Sequence, residues 1–171
     1  MITRRVVLVL PALALGLPSR AALSAATARA QSAGSPLAAA LALEHEAVHT
    51  FGELGARLDD ATKELVRALD ANHRQHRDRV TAALRSAGET PAAALPAYSL
   101  PIPVGERASA LEVLLLLEEA LVRAYTTAVR SGTDRALAGE LLGACASHLT
   151  VLRFARARSL VGSTDAFPGQ G

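Results

Sequence analysis

The chain has 171 residues with 50% hydrophobic content, enough for one domain and a substantial core. Aromatics make up 3% and Trp is absent, so the core must be built from Ala, Leu and Val, which suits closely packed helices better than a sandwich of strands. The formal charge of +2 belongs mostly to the N-terminus. Arg4, Arg5, Arg20 and Arg29 fall within the first 30 residues, and no acidic residue does. Without that stretch 14 basic residues face 16 acidic ones, a balance of −2, and no basic patch for nucleic acid survives.

Residues 1–30 read as a secretory signal peptide. Arg4 and Arg5 precede an apolar run from Val6 to Leu17, and Ala28-Arg29-Ala30 offers a small-residue cleavage site. Pro11, Gly16 and Pro18 break the run, which is too short for a permanent transmembrane anchor. Thr3-Arg4-Arg5 ahead of aliphatic residues also matches a twin-arginine signal, although two Arg suit an ordinary leader equally well. The expected location is the periplasm or another extracytoplasmic part of the cell envelope. Cys145 is the single cysteine, so it has no internal disulfide partner and must be buried, liganded or paired between chains.

Residues 35–161 carry four helical segments. Ser35 can cap the first, with Pro36 in its first turn, and the pattern runs to about Leu58. Asp59 and Asp60 can cap the second, from about Ala61 to Ala87, stopped by Gly88. The third starts near Glu106 and ends before Gly132. Thr133 can cap the fourth, which begins at Asp134 and continues to about Val161. Residues 162–171 form a Gly/Pro-rich tail expected to be disordered.

Short connections make the first two helices one antiparallel hairpin and the last two another. Between them lie 18 residues, Gly88 to Gly105, holding Pro91, Pro96, Pro101 and Pro103. At extended spacing these reach roughly 55 Å. A helix of about 26 residues is roughly 39 Å long, so the linker can travel the length of the bundle. The expected fold is therefore all-α: a ferritin-like four-helix bundle of two antiparallel hairpins joined by a long Pro-rich crossover.

A helical wheel at about 100° per residue exposes polar residues on the apolar faces. In the first helix Glu44 sits within the stripe of Leu37, Leu41, Val48, Phe51 and Gly55, with His45 at its edge and Glu46 opposite. In the second, His73 and His76 both fall among Leu65, Leu69, Val80, Ala83 and Leu84. In the third, Glu118 is flanked by Leu111, Leu115, Val122 and Val129, with Tyr125 two turns on as a core residue. In the fourth, His148 lies among Leu137, Leu141, Ala144, Leu152 and Ala155, with Cys145 one turn earlier. By contrast, Glu46-x-x-His49 has metal-ligand spacing but reads as a solvated face.

These groups also share a level. Glu44 lies 15 residues before Asp59 and His73 lies 14 after it; Glu118 lies 14 before Gly132 and His148 lies 16 after it. At about 1.5 Å per residue, all four leave their helices close to one plane. Ionisable side chains inside an apolar face are costly unless paired, hydrogen-bonded or bound to metal.

Metal sites in bundle cores take single Glu residues from two helices and a Glu-x-x-His pair from each of the others. Here Glu44 and Glu118 are the single carboxylates, and His73-x-x-His76 and Cys145-x-x-His148 are the pairs. His73 and Cys145 replace the two remaining carboxylates of that pattern, which weakens the case for a dinuclear iron site. One ion of Fe, Zn, Mn or Cu with mixed nitrogen and oxygen ligands fits at least as well. Two alternatives stay open: a metal site, or a metal-free polar layer whose hydrogen bonds only fix helix packing. Within the first, either His73 or His76 serves as ligand, and Cys145 is equally readable as a small buried apolar residue.

Ala42-Leu43-Glu44-His45-Glu46-Ala47-Val48, His73-Arg74-Gln75-His76-Arg77-Asp78, Tyr98 to Val104, and Leu117-Glu118-Glu119 carry a resemblance. The chain resembles an uncharacterised family of exported bacterial ferritin-like domains, domain of unknown function 4439, over most of residues 36–160. The resemblance implies a ferritin-like fold and an envelope location. It implies no established activity, and the replaced carboxylates keep ferroxidase or peroxidase chemistry from being carried over. Whether the protein is an enzyme, and whether it forms a homodimer, stays open.

Overall fold

The computed structural model describes residues 34–162. The expected signal peptide lies outside the described residues, as does the expected tail except for Gly162, which is still helical. Four helices follow in order: α1 (Pro36–Gly55), α2 (Asp60–Ser86), α3 (Arg107–Ser131) and α4 (Arg135–Gly162). No strand occurs among the described residues. The all-α bundle of two hairpins with a long crossover is the architecture expected from the sequence.

The helix ends follow local chemistry. Ser35 Oγ accepts from the Ala38 amide at 3.2 Å, and Pro36 occupies the first turn, where its missing N–H costs nothing. Asp59 Oδ1 accepts from the Thr62 amide at 2.9 Å to start α2. That cap ends α1 at Gly55, short of the expected Leu58, because residues 56–59 are needed to turn the chain. Gly55 also admits a close approach: a Cβ there would lie 3.2 Å from Val66 Cγ1 on the paired helix.

At the far end of α2, the Glu89 amide bonds to the Leu84 carbonyl at 2.9 Å and the Gly88 amide to Arg85 at 3.0 Å. This Schellman closure needs a left-handed residue, and Gly88 supplies it at φ +77°. The start of α4 differs from expectation. Asp134 rather than Thr133 caps it, its carboxylate accepting from the Leu137 amide at 3.3 Å while its own backbone sits at φ +36°. Asp tolerates that conformation because its short side chain can bond locally. Thr133 is engaged instead by the Ser131 hydroxyl, 3.1 Å away.

Among the described residues, α1 packs broadly on α2 and on α3, and α3 on α4, whereas the α2–α4 seam is thin. The core is mainly Leu and Ala with few Val, and Phe51 and Tyr125 are its large aromatic members. Leu100, Ile102 and Val104 of the crossover pack against it. The thin seam is closed by polar groups, the Arg79 guanidinium gripping both oxygens of Glu140 at 2.6 Å each. On the other side Arg153 and Arg156 of α4 pair with Glu119 and Glu112 of α3, at 3.1 and 2.6 Å. These arginines therefore link helices as well as facing solvent.

Lying between α2 and α3, α1 has little outer face. Glu46, expected to be solvated, is only 6% exposed, and Thr50 on its far side is buried too. A single helical wheel assigns one buried stripe, whereas a helix with two neighbours buries more than one. His49 remains half exposed as expected.

Candidate metal centre

Six side chains picked from the sequence converge halfway along the bundle: Glu44 from α1, His73 and His76 from α2, Glu118 from α3, and Cys145 and His148 from α4. All six are buried, and Glu44, His73, Glu118 and Cys145 are wholly so. Agreement in face and level between the four helices brings them together.

His73 is the hub. Its Nδ1 lies 2.9 Å from Glu44 Oε2 and its Nε2 lies 2.9 Å from Glu118 Oε1. Both ring nitrogens thus face carboxylates, an arrangement that suits an imidazolium donating on both sides. Burial disfavours the charged ring, but the bonds to Glu118 and Glu44 outweigh it and hold the pKa at about 10. Burial would likewise raise Glu44, yet His73 and His76 hold its carboxyl at about 2. Glu118 is also held low, against the effect of its burial, by His148 and His73.

The remaining groups complete the layer. His148 Nδ1 lies 2.8 Å from the same Glu118 Oε1, and its Nε2 lies 3.2 Å from the Asn72 amide nitrogen. The His76 and His148 rings are parallel to within 7°, with centroids 5.8 Å apart across the thin seam. His76 Nδ1 comes within 3.4 Å of Glu44 Oε1 but lacks hydrogen-bond geometry. Burial, reinforced by the Glu118 and Glu44 charges, pushes the Cys145 thiol far above its ordinary pKa and keeps it protonated.

Two polar atoms in this buried layer have no hydrogen bond: Glu118 Oε2 and His76 Nδ1. Two sets also place one ligand atom per residue within 4.8 Å of one another: His73, Glu118 and His148, and beside them Glu44, His76 and Cys145. Buried groups of these residues could therefore hold a metal ion.

Two members were not anticipated. Tyr125, assigned to the core, donates its hydroxyl to Glu44 Oε1 at 2.7 Å. Its position seven residues after Glu118, on the same face, was the available signal. Asn72, which supports His148, had none beyond its place next to His73. Glu46 carries a different perturbation: burial pushes its carboxyl up to about 7, and its Oε2 has no partner.

No curated protein matches the chain. Among solved structures it is similar to the crystal structure of a conserved hypothetical protein, rv2844, from Mycobacterium tuberculosis. The TM-score is 0.68 at 27% identity, covering 77% of this chain and 97% of that one. The family model described as domain of unknown function (DUF4439) matches residues 36–171. With a match over most of its length, together with a similarly folded hypothetical protein, the chain belongs to the DUF4439 family.

Proposed function

We propose that the protein is an exported, ferritin-like metal binder of the cell envelope, holding one transition-metal ion in the bundle core. The observation that carries this is the buried triad His73, Glu118 and His148, whose ligand atoms lie within 4.8 Å of one another, with Glu118 Oε2 left without a nitrogen or oxygen donor. An unpartnered buried oxygen costs about 1–3 kcal/mol, a cost that a bound cation would offset.

His73, Glu118 and His148 form the primary ligand set, and Glu44 and His76 flank it. Two imidazoles and carboxylate oxygens suit Fe, Zn, Mn or Cu. Cys145, kept protonated by burial and by the neighbouring Glu118 and Glu44 carboxylates, is the weakest of the six candidates. A bound ion would supply Lewis acidity or, if redox-active, an electron-transfer centre. Around it, Tyr125 and Asn72 orient Glu44 and His148, as supporting hydrogen bonds orient ligands elsewhere. His73 must release a proton from the nitrogen that coordinates, so protons compete with the metal.

The test is elemental analysis of purified protein beside the Glu118→Gln and His148→Ala variants. Near-stoichiometric metal that both changes abolish supports the reading. Folded protein that takes up none, and gains no thermal stability from added Fe, Zn, Mn or Cu, refutes it.

A second reading also has an observation behind it. His73 already spans both carboxylates, so the layer is largely self-neutralising without metal. On that reading the protein is an interaction or structural module, and the layer specifies helix pairing.

A further inference from the structure

A groove of about 490 Å³ lies on the outer side of the α1–α2 hairpin, walled by the crossover. His45, Val48, His49, Gly52 and Glu53 of α1 line it, with Arg74 and Arg77 of α2 opposite and Ala94, Leu95 and Tyr98 as the third wall. His45 follows Glu44 in sequence, and Arg74 and Arg77 follow His73 and His76. The groove therefore sits at the level of the buried layer, on the outer face of the same two helices.

Its walls are held in place. His45 Nε2 lies 3.0 Å from the Ala92 carbonyl, pinning the crossover to α1. The Leu95 amide donates to the Tyr98 hydroxyl at 3.0 Å, and the Tyr98 ring lies 5.3 Å from that of His49. Gly52 contributes no side chain to the floor, and a Cβ there would touch nothing.

Each charged side chain of the lining has a partner of opposite sign, so what the arginines offer is hydrogen-bond donors. Arg74 uses Nε and Nη2 on Asp70, and Arg77 uses Nε and Nη2 on Asp78, so Nη1 of each is uncommitted among the described residues. The one acidic lining residue, Glu53, is already paired with Arg57 at 2.7 Å. Arg74 and Arg77, three residues apart on one helix face, each keep a donor for an anion. Val48, Ala94 and Leu95, with the Tyr98 and His49 rings, offer an apolar surface in the same groove. The volume falls in the range of small-molecule sites.

We infer that this groove binds a small organic anion, a carboxylate on an apolar or aromatic body, with Arg74 and Arg77 taking the carboxylate. This inference does not depend on metal in the core. Benzoate is the probe, and binding is followed by amide chemical-shift changes in the purified protein, with inorganic phosphate as the contrast. Saturable shifts at Gly52, Leu95 and Tyr98 are expected, with phosphate binding more weakly. The double variant Arg74→Gln, Arg77→Gln should weaken benzoate about tenfold. Gly52→Leu should block it by filling the floor while leaving both arginines in place. Benzoate that fails to saturate these residues into the tens of millimolar overturns the inference. So does phosphate that binds equally well and is indifferent to Gly52→Leu, since charge alone would then explain the attraction.

Discussion

The hydroxyl of Tyr125 lies 2.7 Å from Oε1 of Glu44, joining α3 to α1 through a carboxylate that His73 of α2 grips by its other oxygen. Three helices therefore meet on one buried side chain. Tyr125→Phe keeps the ring and removes only the donor, leaving Glu44 short of one hydrogen bond. We expect a loss of about 1–2 kcal/mol, read as a lower urea midpoint with an unchanged slope. An unchanged midpoint would show that the bond contributes nothing.

Removing His73 should be costlier. His73→Ala leaves two buried carboxylates, Glu44 and Glu118, without the cation between them. Breaking a buried pair by deleting one partner costs about 3–5 kcal/mol. His73→Ala combined with Glu44→Gln and Glu118→Gln should recover part of that loss, since the stranded charges go too. Denaturant midpoints of the single and triple variants decide it.

The same contact sets a pH window for the metal-free fold. His73 is raised from its ordinary value to about 10, so its contribution is complete below about 6.5 and is lost as pH rises through about 10. Glu44 is depressed to about 2, so its contribution is complete above about 4.5 and disappears as pH falls through about 2. These are two ends of one interaction and are not summed. The gap in melting temperature between wild type and His73→Ala should therefore be widest between about pH 4.5 and 6.5 and narrow on either side.

Glu46 should act in the opposite sense to Glu44. Burial raises it to about 7, so the folded state binds its proton more tightly than the unfolded chain does. Stability should fall as pH rises from about 4.5 to about 7, by roughly 2–3 kcal/mol. Glu46→Gln should remove that fall and make the protein more stable than wild type at pH 8. Equal pH dependence in the two proteins would contradict the assignment.

Gly88 offers a test of the fold alone. At φ +77° it closes the end of α2 and starts the crossover. Gly88→Ala should cost about 1–2 kcal/mol, because a Cβ clashes in the left-handed region. A thermal melt with a lowered midpoint and unchanged helical signal is the expected result.

How much was legible in the sequence follows from which interactions are local. Helix starts at Ser35 and Asp59 and the stop at Gly88 depend on side chains within a few residues, and each is where the sequence places it. Glu44, His73, Glu118 and His148 were legible because one periodicity set their face and equal spacing from the hairpin turns set their height. Contacts between helices were not. Whether Thr133 or Asp134 capped α4 depended on a hydroxyl contact with Ser131. The burial of Glu46 depended on how many helices surround α1.

The chain's own order of residues determined four helices, two hairpins, a crossover long enough to join them, and a polar layer across the middle. Periodicity, capping chemistry and chain length suffice for these, since each acts along the backbone. Only the tertiary structure decided that His73 bridges both carboxylates, that Tyr125 and Asn72 support the layer, and that Glu118 Oε2 has no partner. It alone, too, brought Tyr98 of the crossover into one groove with Arg74 and Arg77. Those facts depend on how helices rotate and approach one another by ångströms. That is set by the packing of the whole core rather than by any one segment of it.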